Sequence, residues 1–321
     1  MSVRTGIDLG SESVKLVRGE GRTRLERITH IEVEAWDPAN GKDPTERAAG
    51  ALGRILSRMG GVRRRLGQVA VGVGSQETGL REVTLPRLSE DELRRALPFE
   101  ARRHLTLEEM ASPTIAFQIL GPAPSAEGVG DPQVRVLLVA VAGPQREFAL
   151  RVLASQGLDP EVVDLEPLAN LNALLAALPA NERDGQVVAL LDLGAREVGL
   201  HVTQTDGCLL SRVVGAGVPQ ARGAREIAEY AEGVAHRIGE TLTFYRARFR
   251  RDVTRLHVGG GGALIKGLCQ SLQGALEFPV TPFNPLEGVA LPAAAREDVT
   301  AWAPQFVTAC GLCRWWDGAH V

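Results

Sequence analysis

The stretch Gly6-Ile-Asp-Leu-Gly-Ser-Glu-Ser-Val-Lys-Leu-Val17 sets two apolar, β-type runs on either side of a small-residue turn. It predicts a strand, a tight hairpin and a second strand. Gly10 can adopt backbone angles closed to other residues, and Ser11 can hydrogen-bond within the turn. Asp8 stands at the strand end, where a cation or a phosphate can approach, and Lys15 alternates to a side from which it reaches an anion. A single Asp-x-Gly turn punctuates many sheets that hold no ligand.

The turn recurs. From Val187 to Val202 the chain has the same apolar strand, the same Asp192-Leu-Gly194 and a second apolar strand. Two further segments also match, Gln68 to Ser75 and Arg255 to Ala263, each a strand running into a glycine-rich turn. Internal similarity of this kind predicts two hairpin-first halves facing each other across a cleft.

These paired turns, with the Gly259–Gly262 run, resemble the actin, Hsp70 and sugar-kinase superfamily. Within it the chain is similar to the PilM family of type IV pilus assembly from Gly6 to about Trp315. The likeness includes Leu85-Pro86, Phe99 to Leu105, Val162 to Leu168, Gly259 to Leu268, Phe283-Asn-Pro285 and Pro304-Gln-Phe306. The resemblance implies an α/β fold of two ribonuclease-H-like lobes, with ATP and magnesium as the cofactors to test. Asp8 and Asp192 would hold magnesium mainly through water, while backbone groups around Gly10-Ser11 and Gly194-Ala195 cradle phosphates. Lys15 matches the phosphate lysine of actins. Gly260, Gly261 and Ala263 would approach the sugar and adenine, where a side chain at a glycine position collides with the ligand. The same run also reads as a strand-to-helix turn that needs no ligand.

Glu166 lies near the position where the superfamily places a water-activating residue, which makes it the one catalytic candidate. It reads more readily as an acid favoured at a helix N-terminus. Arg196 and Glu197 depart from the small hydroxyl residues that follow the second turn in the resembling sequences.

A chain of 321 residues, 44% hydrophobic and 23% charged, can bury two sizeable cores. A net charge of -3 offers no global attraction for nucleic acid, and the Arg63-Arg64-Arg65 cluster reads as a solvated turn. No leader is expected before the first strand, and the most apolar segments fall far short of the ~20 residues that span a bilayer. A cytoplasmic protein with no span of its own is expected, peripheral on the inner face of the cytoplasmic membrane through a partner. Cys208, Cys269, Cys310 and Cys313 are too few for a disulfide framework, and Cys310-x-x-Cys313 reads as helical and core-facing rather than metal-binding.

Along the chain, residues 1–79 form the first lobe and 158–180 its return with a connecting helix. Residues 80–157 read as a small α+β insert, similar to that of the PilM and FtsA families. Its helix runs from Glu90 to about His104, opens on a capping box at Ser89, and is expected to kink or break at Pro98. Residues 181–321 form the second lobe. There the short link Gly215–Gly223 leaves the fourth subdomain of the superfamily much reduced.

The PilM resemblance implies a scaffold. Its partner would be the N-terminal cytoplasmic peptide of a PilN-like bitopic inner-membrane protein, with other pilus or secretion platform proteins beside it. The groove between first lobe and insert would take that peptide, with contacts at Arg94, Arg95 and Phe99 or at exposed strand edges. The alternatives are an ATP-binding actin-like ATPase, an FtsA- or MreB-like polymerising protein, and a GspL-like component of type II secretion. Loss of the fourth subdomain removes a wall of the cleft, so weak or absent ATP binding and little hydrolysis are expected.

Overall fold

The computed structural model describes residues 1–36, 43–60, 65–74, 78–123, 132–204, 209–218, 223–276, 278–292 and 296–317. Arg63, Arg64, Ser75, Cys208 and the interiors of the 121–132 and 215–223 links lie outside them.

The first sheet grows from the opening hairpin. Strands β1 (Ser2–Leu9), β2 (Ser13–Gly21) and β3 (Arg27–Ala35) form an antiparallel meander, and helix α1 (Pro44–Arg58) covers it. Asp43 caps α1 through Thr45 N, and Ala48, Ala51, Leu52, Ile55 and Leu56 recur at helical spacing on its buried face. Strand β4 (Gln68–Val73) pairs parallel with β1.

The insert follows, as β5 (Thr78–Pro86), α2 (Glu90–His104), β6 (Thr114–Pro122) and β7 (Gln133–Val141). Its sheet has the order β5-β7-β6. Alternate residues of β7 divide between two cores. Val136, Leu138 and Ala140 pack under α2, while Leu137 and Val139 pack toward the lobes. The capping box at Ser89 and Glu92 is present, and α2 continues through Pro98. Pro98 is exposed, so the Arg94 carbonyl that loses its helical donor lies on the solvent side.

The chain re-enters the first lobe through α3 (Gly143–Ala154), β8 (Val162–Leu165) and α4 (Glu166–Ala177), and a turn of helix, α5 (Ala180–Arg183), leads out of it. The second lobe repeats the pattern with β9 (Val187–Leu193), β10 (Glu197–Gln204), β11 (Leu210–Ala216), α6 (Ala224–Phe249), β12 (Leu256–Gly259), α7 (Leu268–Ala275) and β13 (Val280–Pro282). The two sheets have one topology. Their orders are β3-β2-β1-β4-β8 and β11-β10-β9-β12-β13, with the hairpin strand central in each and the crossover strands parallel to it. Only residues 217–223 separate β11 from α6, which leaves no room for a fourth subdomain. The chain ends in α8 (Arg296–Trp302) and α9 (Val307–Cys313).

Two helices differ from the sequence-based division. Helix α3, placed in the 80–157 insert, packs on α1 and β4 and gives Ala149, Val152 and Leu153 to the first-lobe core. Helix α9, placed in the 181–321 lobe, packs on β1, β2, β4 and α4. Sequence spacing sets helix type but not which of two similar sheets a helix covers. The contact of α9 is close: a methyl group on Gly311 would strike the Ala169 carbonyl, and one on Gly6 would strike that of Ala309. Helix α4, which leaves the first lobe, in turn packs against β9 and β10. Beyond α9, Asp317 accepts hydrogen bonds from Arg4 and from Leu25 N. Cys310 and Cys313 are buried, and burial pushes the Cys310 thiol far up and the Cys313 thiol up to about 12; no metal-binding cluster occurs among the described residues.

Candidate functional site

A cavity of about 710 Å³ lies between the lobes, within the usual range for small-molecule sites. Asp8 and Asp192, each next to last in its central strand, enter it from opposite sides. Gly10, Ser11, Lys15, Gly194, Ala195, Gly260, Gly261 and Glu166 also line it. Ala263 does not; it packs on the second-lobe core beside Ile265 and Cys269. The reason is local. After β12 the chain makes a tight helical turn over Gly261–Leu264, which points residue 263 inward.

The glycines have separate causes. Gly260 has φ +80°, and a side chain there would strike Asp192 and Leu193, so the protein itself demands it rather than a ligand. Gly261 has open space around its missing Cβ. That space faces the cavity, as expected where a ligand approaches the backbone closely.

Charge in the cleft is lopsided. Lys15 Nζ donates to Asp8 Oδ2 at 2.9 Å, opposite it in register across the hairpin. Burial works to lower the lysine's pKa, but Asp8, with Asp192 and Glu166 behind it, raises it above the ordinary value. Asp192 accepts from Asn170 Nδ2 at 2.9 Å, and Thr308 donates to the Asn170 Oδ1 at 2.8 Å, which fixes the amide's orientation. Burial pushes Asp192 up to about 6, against the Asn170 bond, and the Asp8 charge adds to the rise. Glu166, first in α4, is held well above the carboxylate range by burial and by Asp8, Asp192 and Glu197. The helix-end reading of Glu166 therefore holds for its backbone, while its side chain belongs to the cleft.

Asn170 and Thr308 were not singled out from sequence. A signal was present: Asn170 and Asn172 interrupt the apolar run Leu168 to Leu175, and a buried polar residue needs a partner. Trp36, Arg47 and Phe148 also line the first-lobe end of the cavity. The Arg47 guanidinium lies 5.1 Å from the Trp36 ring, and Trp36 Nε1 donates to the Gly10 carbonyl at 3.2 Å.

The donor set suits a nucleotide carried with a cation better than a free phosphate. The acids Asp8, Glu166, Asp192 and Glu197 outnumber the lining cations Lys15, Arg47 and Arg196, and Lys15 is already engaged. A magnesium ion between the two aspartates would supply positive charge where only Lys15 stands.

A second cavity, of about 360 Å³, lies within the insert between α2 and β6. Glu90, Arg94 and Leu97 form one wall, and Ile115, Phe117 and Ile119 form the other. Arg94 pairs with Glu90 at 2.5 Å and stands 5.7 Å from the Phe117 ring. Strand β6 is an edge of its sheet, and Ile119 is 45% exposed. Arg95 and Phe99 do not line this slot, which lies inside the insert and not between the insert and the first lobe, where the sequence places the peptide groove. They lie about 100–140° around the helix from Arg94, and Phe99 is 71% exposed.

Two sheets of one topology, two helices that each cross to the other lobe, and a carboxylate at each central strand end over a shared cleft define the actin-like ATPase fold. The solved "PilM-PilN type IV pilus biogenesis complex" is similar to this chain at a TM-score of 0.78 and 23% identity, over 97% of each chain. The diol dehydratase-reactivating factor in nucleotide-free form is similar at a TM-score of 0.50 and 9% identity, over 99% of this chain and 100% of the other. The family described as type IV pilus assembly protein PilM matches residues 6–229 and 216–314, and the chain belongs to that family. The two matched segments meet where β11 passes into α6. No curated protein matches the sequence. No helix among the described residues is long and apolar enough to cross a membrane.

Proposed function

We propose that this protein is a cytoplasmic scaffold of a type IV pilus inner-membrane platform. Its insert takes the N-terminal cytoplasmic peptide of a PilN-like membrane protein. Family membership and the likeness to a PilM-PilN complex support the partner class. The observation that carries the peptide reading is the insert groove, a slot with one charged and one apolar wall beside the edge strand β6. An extended segment can add to the strand edge and seat alternate side chains in the slot. Arg94 stays in the contact set; Arg95 and Phe99 serve at most its rim.

Fluorescence anisotropy with the labelled N-terminal peptide of the neighbouring PilN-like protein tests this. Leu97→Glu should weaken binding more than tenfold, while Asp8→Ala and Asp192→Ala bind as the parent does. Undiminished binding to Leu97→Glu, and to a folded variant lacking 78–141, would remove the insert from the reading.

The cleft on this reading holds magnesium-ATP weakly. The link between β11 and α6 is too short to carry a base-binding subdomain, and a site that loses ~100 Å² of apolar burial loses about 2.5 kcal/mol. Calorimetry should find no low-micromolar affinity. Tight ATP binding abolished by Asp192→Ala together with peptide binding would make the cleft a switch instead.

A further inference from the structure

The outer edge of the second lobe carries a surface that neither the cleft nor the insert uses. Strand β11 is the outermost strand of its sheet, so one side of its backbone meets no strand. Helix α6 lies alongside it in the opposite direction. The Tyr230 hydroxyl donates to the Ala216 carbonyl at 3.1 Å, Arg237 stands beside Gly215, and the Arg212 guanidinium lies 4.3 Å from the Phe244 ring. Residues 230, 237 and 244 are seven apart and share one helix face. The result is a trough with a strand edge on one side and arginine and aromatic side chains on the other. Phe244 is 38% exposed.

The charge there is one-sided. At the C-terminal end of α6, Arg246 is neutralised by Asp252, and Arg255 by Glu182. Arg212, Arg248, Arg250 and Arg251 have no carboxylate within ion-pair distance among the described residues. Of the acids on α6, Glu240 faces His236 at 3.9 Å, Glu229 pairs with Arg225, and Glu226 and Glu232 lie toward the N-terminal half, away from this cluster. In a chain of net charge -3, such a concentration at one end makes the trough electropositive against an acidic background.

We infer that this trough binds an extended acidic protein segment, which adds as a strand to β11 and sets its carboxylates against Arg212, Arg237 and Arg248. The strand edge distinguishes this occupant from an anionic lipid surface, which needs charge but no ladder of backbone donors and acceptors. This surface goes beyond the peptide groove proposed above and shares no residue with it. The pilus platform can therefore hold two partners on one copy of the scaffold.

The test uses the full chain and a fluorescent (Glu-Val)5 peptide as probe, with (Lys-Val)5, a backbone N-methylated (Glu-Val)5 and phosphatidylglycerol vesicles as comparisons. The acidic peptide should bind and should slow amide exchange in β11. The Arg212→Glu/Arg248→Glu variant should lose at least tenfold in affinity at low salt, and the loss should shrink as salt screens the charges. The thermal transition of that variant should match the parent's, since both side chains are exposed, and Leu97→Glu should bind as the parent does. Equal binding of the lysine or N-methylated peptide, an undiminished double variant, or capture of vesicles but not peptide would each overturn the assignment.

Discussion

The two lobes share a sheet but not a way of holding their aspartates. In the first, Asp8 faces Lys15 across the hairpin. At the same register point in the second, Asp192 faces Gly199, and the place a side chain would take there is filled by His201 Nε2, 2.7 Å from the missing Cβ. That imidazole is held neutral, pushed down to about 4 by burial, with Nδ1 paired to Ser211 Oγ at 2.9 Å. One aspartate thus has a built-in cation and the other only an amide. A ligand's cation has most to gain at Asp192, and the duplicated turn is specialised rather than repeated.

The lobes are joined where α4 and α9 touch, and the largest expected effect comes from breaking that joint. Gly311→Ala sets a methyl group into the Ala169 carbonyl, backbone against backbone, where no rotamer change relieves it. A loss of about 3 kcal/mol or more is expected in urea unfolding, with the two lobes losing cooperativity. In the second lobe, Gly239 lies on the exposed face of α6 with nothing near its missing Cβ. Gly239→Ala should stabilise by up to about 1 kcal/mol. Equal responses at the two sites would show that α9 is not the joint.

Next in size is Lys15→Met, which leaves Asp8 without its cation in a nearly dry site, at a cost of about 3 kcal/mol. Adding Asp8→Asn should restore most of it, because the unpaired charge is then gone. If the single variant costs nothing, the pairing that separates the two lobes carries no weight.

What the sequence made legible follows from range. The two Asp-x-Gly turns, the capping box at Ser89 and the full extent of α6 are local signals, and the repeated strand pattern led to the paired sheets. The sides taken by α3 and α9 were not legible, because an apolar helix face fits either of two similar sheets. The Asn170–Thr308 link joins residues 138 positions apart, and no spacing rule reaches that far. Ala263 falls outside the cleft lining because a tight turn stands where a regular helix start was expected.

The smallest expected effect sharpens the comparison most. Asp192 ionises in the folded protein only at about 6, above its ordinary 3.8, because burial disfavours the charge and Asp8 repels it. Between those two values the folded state holds more protons than the unfolded chain, so stability falls as pH rises through that window. By pH 7 the cost is complete, and two units correspond to about 3 kcal/mol, reduced to about 1–3 kcal/mol by the partial solvent access of this side chain. Asp192→Asn removes the charge while keeping an oxygen for Asn170 Nδ2. The variant should therefore be more stable than the parent at pH 7, equal to it near pH 3.5, and without the parent's decline between about 4 and 6. Urea midpoints across that range measure it, with Asp8→Asn as the contrast: there the lysine loses its partner, and stability at pH 7 should drop. A stabilising Asp8→Asn, or a destabilising Asp192→Asn at pH 7, would mean that the uncompensated charge of the cleft sits in the first lobe and not in the second.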